Sequence, residues 1–310
     1  MNYKNRKLKR SAIAMALAGT VATPASVQAG ADELYASARI GIEYSDTEGT
    51  ADVGVNSYAS RFGAQGETDL GNGLKGWGRY EWDVDFDDPG DGFKLRHRVV
   101  GVKGDFGNVY LGQTEHTFYN LIILPFDTPW WSSGYNMVRY GARTDKAVTF
   151  ETSLQSFDFS ITGYFIEDDD EEAPDTVEVG GSFGIGEMTL AFALDSSETA
   201  RGSAGNDDDI LGVTLSGIPL GDSTLAFNYM TQDDDDSYGM ELLVGNIYVH
   251  VEALSSDATG MDPLLLTLGY TQTLGRKTKI WYEVVDNDAD TGDSDDDGFF
   301  VRAVLLYDII

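Results

Sequence analysis

Along most of the chain, apolar residues recur at every second position. Leu225, Phe227 and Tyr229 alternate with Thr224, Ala226 and Asn228, and Met188, Leu190, Phe192 and Leu194 alternate with Thr189, Ala191 and Ala193. Ile247, Val249 and Val251 interleave with Tyr248, His250 and Glu252, as Ile280, Tyr282 and Val284 do with Lys279, Trp281 and Glu283. A period of two marks a strand with one apolar face and one smaller or polar face. The pattern predicts sixteen strands, near 34–44, 57–67, 74–85, 93–103, 108–113, 146–152, 157–165, 177–183, 188–195, 210–216, 223–230, 238–244, 247–255, 264–272, 278–285 and 299–308. Short glycine-bearing connections (69–73, 104–107, 184–186, 217–221, 245–246) alternate with longer polar ones (45–56, 114–145, 166–176, 196–209, 231–237, 286–298). An even strand number with connections sorted by length predicts an all-β fold, a transmembrane antiparallel barrel of sixteen strands. The apolar face meets lipid and the polar face lines a lumen. A soluble sandwich has no reason to sort its connections in this way.

The N-terminus supports export. Lys4, Arg6, Lys7, Lys9 and Arg10 form a basic region, residues 11–21 a short apolar one, and Val27-Gln28-Ala29 a small-x-small cleavage site. The expected organisation is a signal peptide over 1–29 and one barrel domain over 30–310. The apolar stretch is too short to span a bilayer, and no later segment approaches 18 consecutive apolar residues.

Charge sharpens the picture. The chain carries 52 acidic and 21 basic residues, a formal net charge of −31. Loss of the five N-terminal bases would take it to −36. Such a charge repels phosphate backbones, so no nucleic-acid partner is expected. Most of the acids fall in the long connections, as in 167–172, 207–209, 233–236 and 295–297, while Lys75, Lys103, Arg276, Lys277 and Lys279 sit at or beside short ones. Like-charge runs must be solvated, and one rim of a barrel gives them water. The absence of cysteine excludes disulfide frameworks, thiolate metal sites and a cysteine nucleophile.

Strand parity assigns the lumen. With Ile40, Ile42 and Tyr44 outward, Arg39, Gly41 and Glu43 face inward, and Phe62 outward puts Arg61 inward. Tyr80, Trp82 and Val84 outward put Arg79, Glu81 and Asp83 inward. On the next strand Leu95, His97 and Val99 are expected outward, with Arg96 and Arg98 inward. Arg39, Arg61, Arg79, Arg96 and Arg98 then form a basic ladder on one inner wall. On the lipid face each would cost about 2–4 kcal/mol near the midplane.

The run Ser60-Arg61-Phe62-Gly63-Ala64-Gln65-Gly66-Glu67-Thr68-Asp69-Leu70-Gly71-Asn72-Gly73-Leu74-Lys75, continued by Gly76-Trp77-Gly78-Arg79-Tyr80-Glu81-Trp82, resembles a stretch of the Gram-negative general porins. Residues 98–113 are similar to the family's next hairpin, and 143–150 to the strand after its third loop. The resemblance is specific over roughly 34–150. It implies a homotrimer of sixteen-stranded barrels in the outer membrane, in contact with lipid and lipopolysaccharide, each with a long third loop folded into the lumen. By motif it assigns Arg61, Arg96 and Arg143 to the constriction, with Glu115 and Asp127 as counter-charges. Three departures stand out. The third-loop segment carries Leu121-Ile122-Ile123-Leu124-Pro125-Phe126-Asp127-Thr128-Pro129-Trp130-Trp131 where the family has an acidic stretch, and so apolar a loop has reason to pack on the barrel wall. The family's Ser-Pro after Phe150 is replaced by Thr152-Ser153-Leu154. The chain ends in Ile310 rather than an aromatic residue.

The expected function is passive diffusion of ions and small hydrophilic solutes through a water-filled channel. The arginine ladder favours anions and the acidic mouth favours cations. The larger charge of the mouth sets the expectation of modest cation selectivity. The alternatives are a solute-selective channel, for example for sugars along Trp77, Trp130 and Trp131, or a secreted acidic β-sandwich acting as an adhesin. Asp286, Asp288, Asp290 and Asp297 have part of the spacing of a calcium loop, but Thr291 occupies the position of the expected glycine. No cofactor is required by the transport readings, and calcium at the acidic outer loops is the one metal the spacing suggests. With three histidines and no hydrolase motif, no enzyme activity is expected.

Overall fold

The alternating segments pair in chain order into a closed antiparallel barrel. The computed structural model describes residues 33–47, 49–85, 92–126, 143, 145–165, 176–197, 209–233, 235–256, 262–288 and 298–309. The predicted signal peptide lies outside them. The strands are β1 (Glu33–Thr47), β2 (Thr50–Ser57), β3 (Ser60–Gly71), β4 (Leu74–Val84), β5 (Phe93–Gly104), β6 (Gly107–Gln113), β7 (Ala147–Leu154), β8 (Phe157–Tyr164) and β9 (Thr176–Ile185), followed by β10 (Met188–Ser197), β11 (Ile210–Leu220), β12 (Ser223–Gln232), β13 (Asp235–Val244), β14 (Ile247–Ser256), β15 (Leu264–Gly275), β16 (Thr278–Asp288) and β17 (Gly298–Asp308).

Both β2 and β3 pair with β1, through Ile40↔Ser57 to Thr47↔Thr50 and Glu33↔Gln65 to Ser37↔Arg61. They are two halves of one barrel strand, broken where Ala59 takes a left-handed φ of 49°. The barrel therefore has sixteen strands, and β1 closes it against β17 from Ser37↔Asp308 to Thr47↔Gly298. Closure leaves no unpaired edge, as a backbone in hydrocarbon requires.

One rim consists of two-residue turns, at 72–73, 105–106, 155–156, 186–187, 221–222, 245–246 and 276–277. The opposite rim is less uniform than expected. The 45–56 and 231–237 connections are not loops, because β1 runs to Thr47 and β2 begins at Thr50, and β12 and β13 are separated only by 233–234. Small and polar side chains in Thr50–Ser57 conceal that strand from a hydrophobic period, although its outward residues Val53 and Val55 are exposed on the lipid-facing side.

Outward residues are the alternating apolar set, including Ile42, Phe62, Tyr80, Leu111, Phe192, Phe227, Ile247, Leu268 and Leu305, all exposed. Inward residues are largely polar, and many of them, such as Glu81, Thr149, Glu178 and Arg302, are buried. The interior is filled on one side by the chain that follows β6. Its helical turns Tyr119–Ile123 and Leu124–Phe126 bury Phe118, Ile122 and Ile123 against Ala191, Ala193, Ile210 and Met230 of the inner wall. The remainder of the expected third loop, 127–142, lies outside the described residues.

Candidate functional site

The helical turns are held on the wall by matched polar groups at each end. Glu178 of β9 accepts hydrogen bonds from the Phe118 amide (2.8 Å) and the Tyr164 hydroxyl (2.6 Å), satisfying a backbone donor that has no partner in the turn. The Ile122 carbonyl accepts from Thr214 Oγ1 (3.0 Å) and Asn228 Nδ2 (2.8 Å). Thr117 bonds Ser160 and Thr162, and His116 Nδ1 lies 2.8 Å from Thr149 Oγ1. Glycines supply the space. A Cβ at Gly212 would come within 2.6 Å of Ile122, and one at Gly180 within 2.6 Å of Leu121. Phe126 rests edge-on against His250, with ring centroids 5.8 Å apart. The described part of the apolar run, 121–126, thus packs on the wall formed by β9–β14.

Across the lumen stands the arginine wall. Arg96 reaches Glu81 (2.8 Å), Asp83 (3.5 Å) and Glu115 (3.5 Å), and Arg143 Nε donates to Glu115 at 2.6 Å. Arg79 is paired with Glu81 at 2.6 Å and donates to the Tyr35 hydroxyl. Arg39 and Arg61 face the same space. Glu115, at the base of the third loop, draws the group together. Burial alone would raise its pKa, but Arg143, with His97 and Arg96 beside it, more than offsets this and holds it down at about 2. A cavity of about 480 Å³ remains between this wall and the helical turns, bordered by Arg61, Arg96 and Glu115 on one side and Tyr119 and Leu124 on the other.

Strand β5 departs from simple parity. Glu81 pairs with His97 and Trp82 with Leu95, so Arg96 is the extra residue of a β-bulge. Beyond it the faces are exchanged. His97 and Val99 point inward and are buried, against the sequence expectation, and His97 lies 3.4 Å from both Glu81 and Glu115. Arg98 is correspondingly not in the ladder. It shares the outer face with Val100 and Leu111, and pairs with Asp145 at 2.6 Å. Bulges re-aim side chains, and a single inserted residue leaves no trace in a period-two count.

Arg302, absent from the sequence-based site, extends the basic wall across the closure seam. It lies 2.8 Å from Glu43 and 3.8 Å from Glu283, and packs over Tyr58. The alternation of β17 carried the signal, since Val301 outward requires Arg302 inward. The opposite wall is acidic. Glu178, Asp195, Glu241 and Glu252 are all buried inward, with His250 between Glu241 (3.4 Å) and Glu252 (2.9 Å).

The remaining sequence candidates fare differently. Asp127 lies outside the described residues, as do Asp290 and Asp297 and also Trp130 and Trp131. Asp286 and Asp288 are in strand β16, paired to β15 and in part to β17, rather than in a loop, because β16 continues to Asp288. Among the described residues no group of three or more His, Asp or Glu is gathered for a metal ion.

A bulged barrel with opposed arginine and carboxylate walls, and helical turns packed on the inner face after β6, invites comparison with known proteins. The family model described as Gram-negative porin matches residues 12–304. The "Major outer membrane protein P.IB" of Neisseria meningitidis is 32% identical over 115 residues, and the match spans about a third (34%) of each chain. The "Outer membrane porin protein 32" of Delftia acidovorans is 24% identical over 317 residues, covering 88% of both. Among solved structures, the anion-selective porin from Comamonas acidovorans superposes with a TM-score of 0.73 at 18% identity, over 89% of this chain and 99% of that one. The trimer form of OmpT from Vibrio cholerae gives 0.65 at 16% identity, over 89% and 99%. The chain belongs to the Gram-negative porin family.

Proposed function

We propose that this chain forms a water-filled outer-membrane channel for passive diffusion of ions and small hydrophilic solutes, with modest cation selectivity. It would act as a homotrimer, exported by its cleaved signal peptide and seated among lipid and lipopolysaccharide. The observation that carries the reading is the division of the inner wall. Arg79, Arg96, Arg143 and Arg302 lie in ion pairs with Glu43, Glu81, Asp83, Glu115 and Glu283, whereas the wall opposite them carries the buried carboxylates Glu178, Asp195, Glu241 and Glu252. The arginine wall is thus locally neutralised, and the acidic rim adds a long-range negative potential that concentrates cations at the mouth.

The cluster Arg61, Arg96 and Arg143 favours a second reading, an anion-preferring pore like the Comamonas acidovorans protein. A reversal potential across a planar bilayer with a tenfold KCl gradient separates the two. Cation selectivity gives the sign of the K⁺ potential, and the opposite sign overturns it. Absence of any conductance would remove both.

A further inference from the structure

Trp77 of β4 lies against the inner wall on the two-residue-turn side of the arginines. A Cβ on Gly101 of β5 would fall 2.6 Å from Trp77 Nε1 and 2.7 Å from Cε2, so the ring rests where only a glycine leaves room. Its indole N–H donates to Asn108 Oδ1 at 2.8 Å. Tyr110 packs against it edge to face, with centroids 5.5 Å apart and planes inclined by 60°. These contacts fix the ring and leave it bordering two cavities, the one of about 480 Å³ beside the arginines and another of about 410 Å³ toward the short turns.

The second cavity is rimmed by Glu33, Gln65, Glu67, Arg79 and Lys103. Its two carboxylates and two cations balance in charge. They are also tied to neighbours, since Gln65 donates to Glu33 at 2.6 Å, Lys103 pairs with Glu67 and Arg79 with Glu81. A balanced rim gives an ion of either sign little preference, yet it offers fixed donors and acceptors around a rigid aromatic face. That combination suits a solute with an apolar C–H face and a girdle of hydroxyls. The geometry points to Trp77 as the platform of a subsite for a neutral hexopyranose passing through the lumen. The ring stacks on the indole, and its hydroxyls exchange water for Gln65, Glu67, Arg79 and Lys103. The wall residues are held before the sugar arrives, so little ordering is needed on binding. The inference rests on the channel reading and adds a solute class and a place to it.

Single-channel recording in KCl with added maltose tests it, using polyethylene glycol of equal hydrodynamic size as the control for simple occlusion. In the wild-type trimer maltose should reduce the current and add binding noise beyond the effect of the polymer. Trp77→Ala should raise the half-blocking maltose concentration at least tenfold and leave the polymer's effect in place, while Trp77→Phe, which keeps an aromatic face, should fall between the two. Heat-modifiable gel migration of each variant establishes that the barrel has formed. The subsite is overturned if maltose does no more than the polymer in the wild type, or if both variants respond to maltose as the wild type does. A preference of the wild type for organic cations over maltose would assign the indole to cation–π binding and also overturn it. No KCl current from the folded wild type would sink the channel reading itself, and the subsite with it.

Discussion

At the residue scale, Glu115 is the carboxylate on which the arginine wall converges. It is 15% exposed, and it meets Arg96 and His97 of β5 and Arg143 of the segment before β7. Its folded pKa of about 2 lies below the ordinary 4.5, so its contribution to stability is full above the ordinary value and is lost as pH falls through the folded one. By linkage that contribution is on the order of 3 kcal/mol. Glu115→Gln should therefore lose stability at pH 7 by an amount of this order, while the difference from wild type shrinks between about pH 4.5 and 2. Urea unfolding of the refolded barrel at several pH values checks the trend, and a difference independent of pH would refute it. The same variant leaves Arg143 and Arg96 without their shared partner, so its reversal potential should move toward anions.

Elements explain which parts of this arrangement the sequence made legible. All the strands but the short β2 were readable, because most place their large apolar side chains on one face, as Phe227 and Leu225 do on β12. The glycines and asparagine of the short turns marked their ends. β5 was misread beyond Leu95 because the bulge at Arg96 exchanges its faces, and a bulge is stabilised by partners such as Glu81, Asp83 and Glu115 that lie far away in sequence. The helical turns after β6 were visible only as an apolar run. Their place on β9–β14 depends on Glu178, Thr214 and Asn228, which periodicity reads simply as inward polar residues. The glycines of that wall allow a test. Gly212→Val inserts methyl groups where even a Cβ would meet Ile122 at 2.6 Å and Phe118 at 2.9 Å. Overpacking costs about 1–3 kcal/mol, and the turns, held by fewer contacts than the strand, should be what gives way. We expect the segment to move into the lumen, with lower single-channel conductance and frequent closures. Gly184→Val, with nothing within 4 Å of its Cβ, is the matched control and should leave the conductance unchanged. Equal traces from the two variants would argue against a wall-packed third loop that shapes the pore.

For the whole molecule, selectivity is a competition between fields of different range. The rim acids act through water and are screened, while the guanidiniums act on an ion within a few ångströms. The Debye length falls from about 10 Å at 0.1 M salt to about 3 Å at 1 M, so the rim's influence at the constriction should fade between these limits. Cation preference should accordingly be greatest at low salt and approach neutrality near 1 M. Acid separates the two fields more sharply. Solvated carboxylates titrate near 4, so lowering the pH to about 3.5 discharges most of the rim. Glu115, held at about 2, keeps its charge, and guanidinium groups remain charged throughout this range. With the rim discharged the basic wall weighs more heavily, and Glu115 still offsets part of it. The sign of the reversal potential should therefore invert between pH 7 and about pH 3.5 in 0.1 M KCl, and the crossing should shift to higher pH in Glu115→Gln. A potential that keeps its sign over this range would mean that the rim does not control selectivity, and that the buried carboxylates of β9, β10, β13 and β14 set it instead.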